Sequence, residues 1–187
     1  MGKNDFTRKC RRCRLYKNRT MVVFGRGDTK ADLVLVGEAP GVDEDRVGKP
    51  FVGKSGKLLN LMLKAAHLKR RKIFITNVCL CRPPNNRRPL PSEIKACRPR
   101  LQKTLGRIGQ YCILMGRTAS LAVLKSPNCY WGKPYKVPGT KPIKWAIPVK
   151  HPAWYLRGNQ RYIPFGITEF VTSVETLREF AKGEYEW

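Results

Sequence analysis

With 187 residues, 42% of them hydrophobic and spread along the chain in short blocks, the sequence fits a single packed domain (1–187) and argues against disorder. Its apolar runs, such as Leu33-Val34-Leu35-Val36, fall far short of the roughly 18 residues of a membrane span, and its basic start lacks the apolar stretch of a secretory leader, so an intracellular, cytoplasmic or nucleoid-associated, location is expected. Lys and Arg total 38 against 13 Asp and Glu, a formal charge of +25 whose field attracts a polyanion: nucleic acid first, an acidic membrane surface second.

In chain order, the first feature is Lys9-Cys10-Arg11-Arg12-Cys13-Arg14, a Cys-x-x-Cys pair set in positive charge. Such a pair marks half of a metal site, yet no second pair follows within about twenty residues. The chain's seven cysteines, an odd number, favour metal or buried thiols over a complete disulfide framework. Residues 32–37 (DLVLVG) read as a strand, and 55–68 as a helix with Leu58, Leu59, Met62, Leu63 and Ala66 on one face. Residues 73–78 form the next strand. Pro91-Ser92-Glu93-Ile94 opens a helix reaching residue 108, with a kink expected at Pro99. Then come a strand at 111–116, a short helix at 117–124, a Gly/Pro-rich loop at 126–142, a strand at 145–149 and a terminal helix at 166–181. This βαβαβαβα order predicts an α/β fold: three α/β/α layers around a four-stranded parallel sheet, with functional loops at the strands' carboxyl ends.

Three segments fall at those ends: Gly37-Glu38-Ala39-Pro40-Gly41, the run from Asn77 to Pro84, and His151-Pro152-Ala153-Trp154-Tyr155-Leu156-Arg157. Singly, each has an ordinary structural reading as a turn, a Pro-rich loop or a helix start. Together they should converge on one crevice. Here the sequence resembles the uracil-DNA glycosylase superfamily, and within it family 4, the iron-sulfur branch. The matching blocks are GEAPGVDED (37–45), GKPFVGKSGKLL (48–59), ITNVCLCRPPNNRRPLPSEIKAC (75–97), LMGRTA (114–119) and HPAWYLR (151–157).

The resemblance implies the fold just described and an enzyme that flips uracil from DNA and hydrolyses its glycosidic bond. It also implies a [4Fe-4S] cluster held by Cys10, Cys13, Cys81 and Cys97, although four cysteines would equally suit zinc. Cys79, Cys112 and Cys129 are left over, the first two reading as buried small hydrophobes. By resemblance, Phe51 stacks on the flipped base, Asn77 reads the uracil edge, Glu44 shapes the pocket near uracil C5, and His151 donates to uracil O2 as negative charge develops. Better-known branches carry a carboxylate where this chain has Ala39, at the substrate site, so Glu38 and Asn86 are left to orient the water. The Trp154 to Arg157 segment would fill the gap behind the flipped base, and Lys54, Lys57, Arg87 and Arg88 would hold phosphates. His67 reads as structural.

The expected partner is uracil-containing DNA, engaged by a monomer with no membrane association, with replication or repair proteins as further partners. Two other readings stand beside this one. One is a glycosylase-like DNA-binding protein that has lost catalysis. The other is the superfamily branch that bonds covalently to the abasic site through a loop histidine; residues 85–89 (NNRRP) contain none, which favours turnover.

Overall fold

The computed structural model describes residues 7–126, 128–137 and 143–181, so part of the expected 126–142 loop lies outside the described residues. The sheet contains β1 (Arg26–Gly27), β2 (Leu33–Gly37), β3 (Phe74–Asn77), β4 (Tyr111–Met115), β5 (Tyr135–Lys136) and β6 (Trp145–Val149), in the order β1-β3-β2-β4-β6-β5. The four central strands are parallel, as expected. The expected count of four is corrected to six: β1 adds antiparallel to β3, and β5 antiparallel to β6. Each edge strand has two residues, too short for a period-2 pattern to register in the sequence.

The alternation along β2 divides the interior. Leu33 and Leu35 pack into one cluster with Leu58, Leu59, Met62 and Leu63 of α2 (Lys54–Ala65) and Phe170, Val174 and Leu177 of α6 (Ile163–Phe180). Val34 and Val36 face the opposite cluster, with Leu101 and Leu105 of α3 (Pro91–Leu105) and Ala119 and Val123 of α4 (Arg117–Leu124). A strand buried on both faces reads as a continuous apolar run, and each such side chain contributes about 1.5–3 kcal/mol of burial. Two short helices complete the set, α1 (Val42–Val47) after β2 and α5 (Pro152–Leu156) after β6. Among the described residues no helix is long and apolar enough to cross a membrane.

Helix ends differ from the sequence reading for identifiable reasons. Helix α2 stops at Ala65 because His67 adopts a left-handed φ of 54° and Leu68 N–H returns to the Leu63 carbonyl, a Schellman-type stop. His67 is thus an exposed terminator, outside the helix. Helix α6 begins three residues early because Pro164 fits its first turn. Helix α3 closes at Leu105, with Gly106 as its cap, and runs uninterrupted through Pro99.

Connections leaving β2 and β4 turn to opposite sides of the sheet, since β2 leads to β3 and β4 leads to β6. This reversal opens a crevice at the carboxyl ends of those two strands.

Candidate active site

The crevice is a cavity of about 650 Å³. Its walls include Glu38, Ala39, Glu44, Phe51, Asn77, Asn86 and His151, so the structure gathers every sequence-predicted substrate and catalytic residue around one space.

Its back wall depends on close backbone approach. A Cβ on Gly37 would lie 2.4 Å from Asn77 Oδ1 and 2.6 Å from Phe51 Cζ, so only glycine lets both side chains close over the end of β2. Asn77 ends β3, is 2% exposed, and its Oδ1 is buried without a hydrogen-bond partner among the described residues. Such an orphan costs about 1–3 kcal/mol and marks a place where a ligand would complete the bonding.

Phe51 holds a left-handed φ of 53°, a strained conformation for a bulky residue that persists only when its surroundings impose it. They do so from both sides. Glu44 Oε1 accepts from Val52 and Gly53 N–H at 2.8 Å each, while Arg70 donates to the Pro50 and Phe51 carbonyls at 2.8 and 3.0 Å. The other Glu44 oxygen accepts from Gly41 N–H, so this carboxylate positions the Phe51 loop. The Phe51 ring stacks on His151, with centroids 5.7 Å apart.

His151 caps α5, its Nδ1 accepting from Ala153 N–H at 3.1 Å. That bond fixes the proton on Nε2 in the neutral ring. Burial, seconded by the Arg157 charge, lowers the imidazole from 6.5 to about 4, so it is neutral near pH 7 and presents an N–H donor. Gly116, at φ 90°, admits the ring: a Cβ there would lie 3.1 Å from His151 Cβ.

At the crevice rim, Glu38 Oε2 accepts from Thr118 Oγ1 at 2.5 Å and lies 3.8 Å from Arg88 Nε. Asn86 follows Asn85 in a left-handed pair, and its Oδ1 accepts from Arg82 Nε at 2.7 Å. Arg87 forks onto Glu93 at 2.8 and 2.9 Å, which ties the Asn86 loop to the start of α3. Lys54 and Arg88 line the crevice; Lys57 is not among the lining residues. Tyr155, expected as gap-filling bulk, is instead a core residue, 2% exposed, its hydroxyl bonded to Glu169 and its ring against Gly166. Trp154, Leu156 and Arg157 do line the crevice. Sequence reasoning missed Thr118 and Trp131. Thr118 lies in the matching LMGRTA block, whereas nothing in the loop around Trp131 singles it out.

A second, narrow cavity is lined by Cys10, Cys13, Cys81 and Cys97, four thiols drawn from the N-terminal segment, the loop after β3 and α3. Leu15, Val22 and Leu80 form a small apolar cluster with Cys81 beside it. Among the described residues no three His, Cys, Asp or Glu side chains converge to clasp a metal ion. An all-thiolate donor set arrayed around a space fits a cluster that takes one thiolate at each corner. Cys79 is buried as expected, but it also hydrogen bonds to Cys97; that bond, with Leu80 N–H and the charges of Arg100 and Arg12, lowers the Cys97 thiol. Burial pushes Cys81 up to about 11 against the opposing effect of Arg19, which donates to its sulfur at 3.3 Å.

Arg100 stands between the two cavities. It is 8% exposed and donates to Thr76 Oγ1 at 2.9 Å and to the Asn77 carbonyl at 3.2 Å.

The family model described as "Uracil DNA glycosylase superfamily" matches residues 24–178, a span that takes in the sheet and the crevice: the chain belongs to that superfamily. The crystal structure of SMUG2 from Pedobacter heparinus shares the fold, with a TM-score of 0.57 at 14% identity over 80% of this chain and 77% of that one. The type-4 uracil-DNA glycosylase of Thermotoga maritima is 34% identical over 97% of this chain and 94% of its own length. That of Saccharolobus solfataricus is 42% identical over 80% of this chain and 73% of its own. Within the superfamily, the chain falls in the type-4 branch.

Proposed function

We propose that this protein is a DNA-repair uracil-DNA glycosylase that hydrolyses the N-glycosidic bond of uracil in DNA and leaves an abasic site. The observation that carries the reading is the Asn77 carboxamide, buried at the back of the crevice with an unpartnered oxygen beside Phe51 and His151. A carboxamide presents an acceptor and donors side by side, the complement of the N3–H and O4 of a flipped uracil. Phe51 supplies the face on which the base rests.

As the C1′–N1 bond breaks, its electron pair passes onto the uracil ring and negative charge collects on O2. The neutral His151 Nε2–H is a fixed donor for that charge, stronger toward the anion than toward the neutral base, so it lowers the barrier more than it tightens binding. Water adds to C1′ and gives up a proton through solvent, and the uracil anion takes up a proton as it leaves, so the products are an abasic sugar and neutral uracil. Glu38, steadied by Thr118, and Asn86, steadied by Arg82, hold that water. Glu44 acts at one remove by fixing the Phe51 loop, and Ala39 lines the crevice at the position where other branches carry a carboxylate, so it supplies no base.

Cys10, Cys13, Cys81 and Cys97 hold a [4Fe-4S] cluster in this reading, which when bound pins the N-terminal segment to the loop after β3 and to α3. Arg100, between Cys97 and the Asn77 carbonyl, carries that order to the base-reading strand.

The deciding experiment incubates the protein with an oligonucleotide containing one uracil, followed by alkaline cleavage. Strand scission at uracil and none at thymine is the expected result; no scission under single-turnover conditions overturns the reading.

A further inference from the structure

Besides Trp131, three large aromatic side chains at or near the crevice stay in solvent: Trp154 and Tyr162 are each 37% exposed and Phe165 is 71% exposed. Isolated exposed aromatics are ordinary, but these are contiguous. Trp154 and Tyr162 have ring centroids 6.0 Å apart, and Tyr162 and Phe165 6.4 Å. The row begins in α5, crosses the 3-10 turn Gln160–Tyr162 and ends in the first turn of α6. Cations are interleaved with it, Lys150 Nζ standing 4.6 Å from the Trp154 centroid and the Arg161 guanidinium 4.8 Å from that of Tyr162. Neither cation forms an ion pair among the described residues, so both charges remain available to phosphates.

We propose that Trp154, Tyr162 and Phe165 form a stacking platform for single-stranded DNA leaving the crevice. Trp154 belongs to the crevice wall and makes the row continuous with it. Every base has a π-face, so exposed rings beside cations bind a strand without reading its sequence. In a duplex those faces are already stacked on one another, so the rings discriminate for unpaired DNA. The proposal takes from the uracil-glycosylase reading only the place where the strand enters the crevice.

The test compares the full-length protein with Tyr162→Ala/Phe165→Ala and with Tyr162→Phe/Phe165→Tyr, both outside the crevice. The probes are a uracil-free oligothymidylate and a uracil-free duplex of equal length at one salt concentration. The alanine pair should bind the oligothymidylate about tenfold or more weakly, as stacking contacts do when truncated, while duplex affinity holds. The ring-preserving pair should bind like the parent. Unchanged single-strand affinity in the alanine pair, as a protein-docking role for these rings would give, overturns the proposal, and so does equal loss on both probes. Because neither probe contains uracil, failure here is distinct from failure of uracil excision by the parent.

Discussion

The base crevice and the cysteine cavity share the same stretch of chain, Asn77 at the end of β3 and Cys81 four residues later, yet they are built on opposite physical terms. The crevice is open, leaves the Asn77 oxygen without a partner among the described residues, and holds Phe51, Asn86 and Gly116 at positive φ. The cysteine cavity is narrow and packed against a small apolar cluster of its own. A site that performs chemistry keeps bonding capacity in reserve for its substrate. The cysteine side spends most of its capacity on neighbours, Arg19 donating to Cys81 and Arg100 to Thr76 and the Asn77 carbonyl, although the Nε atoms of Arg98 and Arg100 are buried without a partner among the described residues.

That contrast breaks most visibly at Cys97. Replacing it by Ser should deplete bound iron, measured by metal analysis, and destabilise the fold by more than about 4 kcal/mol, the range reserved for loss of a structural metal group. Retained iron with an unchanged melting curve would make the cavity dispensable.

His151→Ala tests the crevice on its own terms. Single-turnover excision should fall about a hundred- to a thousandfold, ~3–4 kcal/mol, while oligonucleotide affinity holds. Loss of the Ala153 N–H cap should lower stability by only about 1 kcal/mol. A folded variant with an unchanged rate would remove His151 from the chemistry.

The same residue gives the crevice a pH signature. Because the folded imidazole titrates near 4 and the unfolded one near 6.5, the unfolded chain binds the proton first as pH falls. Stability from this group is therefore complete above pH 6.5 and declines toward pH 4, by roughly 3–3.5 kcal/mol. Thermal melting of the parent and His151→Gln across that window should show a shallower slope in the variant.

Glu44→Gln weakens the clamp that imposes the Phe51 conformation, and should cost about 1–2 kcal/mol of stability with a matching drop in excision and iron content intact. Cys129→Ser marks the floor. Half-buried and outside both cavities, it should change melting by less than about 0.5 kcal/mol and leave iron and excision as they were.

The sequence by itself determined the layered fold. Unbroken apolar runs at β2 and β4 can be buried only between two helical layers, and strand-helix alternation forces the parallel order that brings Gly37, Asn77, Gly116 and His151 to one end of the sheet. The four site cysteines were legible only through resemblance, because Cys13 and Cys81 are too far apart in sequence for spacing to join them. Tertiary structure decided what each side chain could do. Tyr155 was separated from Trp154 by the handedness of a five-residue helix, which turned one ring into the core and left the other at the crevice. Tertiary structure also left the Asn77 oxygen without a partner among the described residues, kept His151 neutral by burying it and fixed its proton on Nε2 through an N–H two residues on, and laid Trp131 against the crevice from a distant loop. Hydrophobic periodicity records which face of an element is buried; hydrogen-bond completion and desolvation depend on every neighbour, and neighbours are fixed only when the chain has closed.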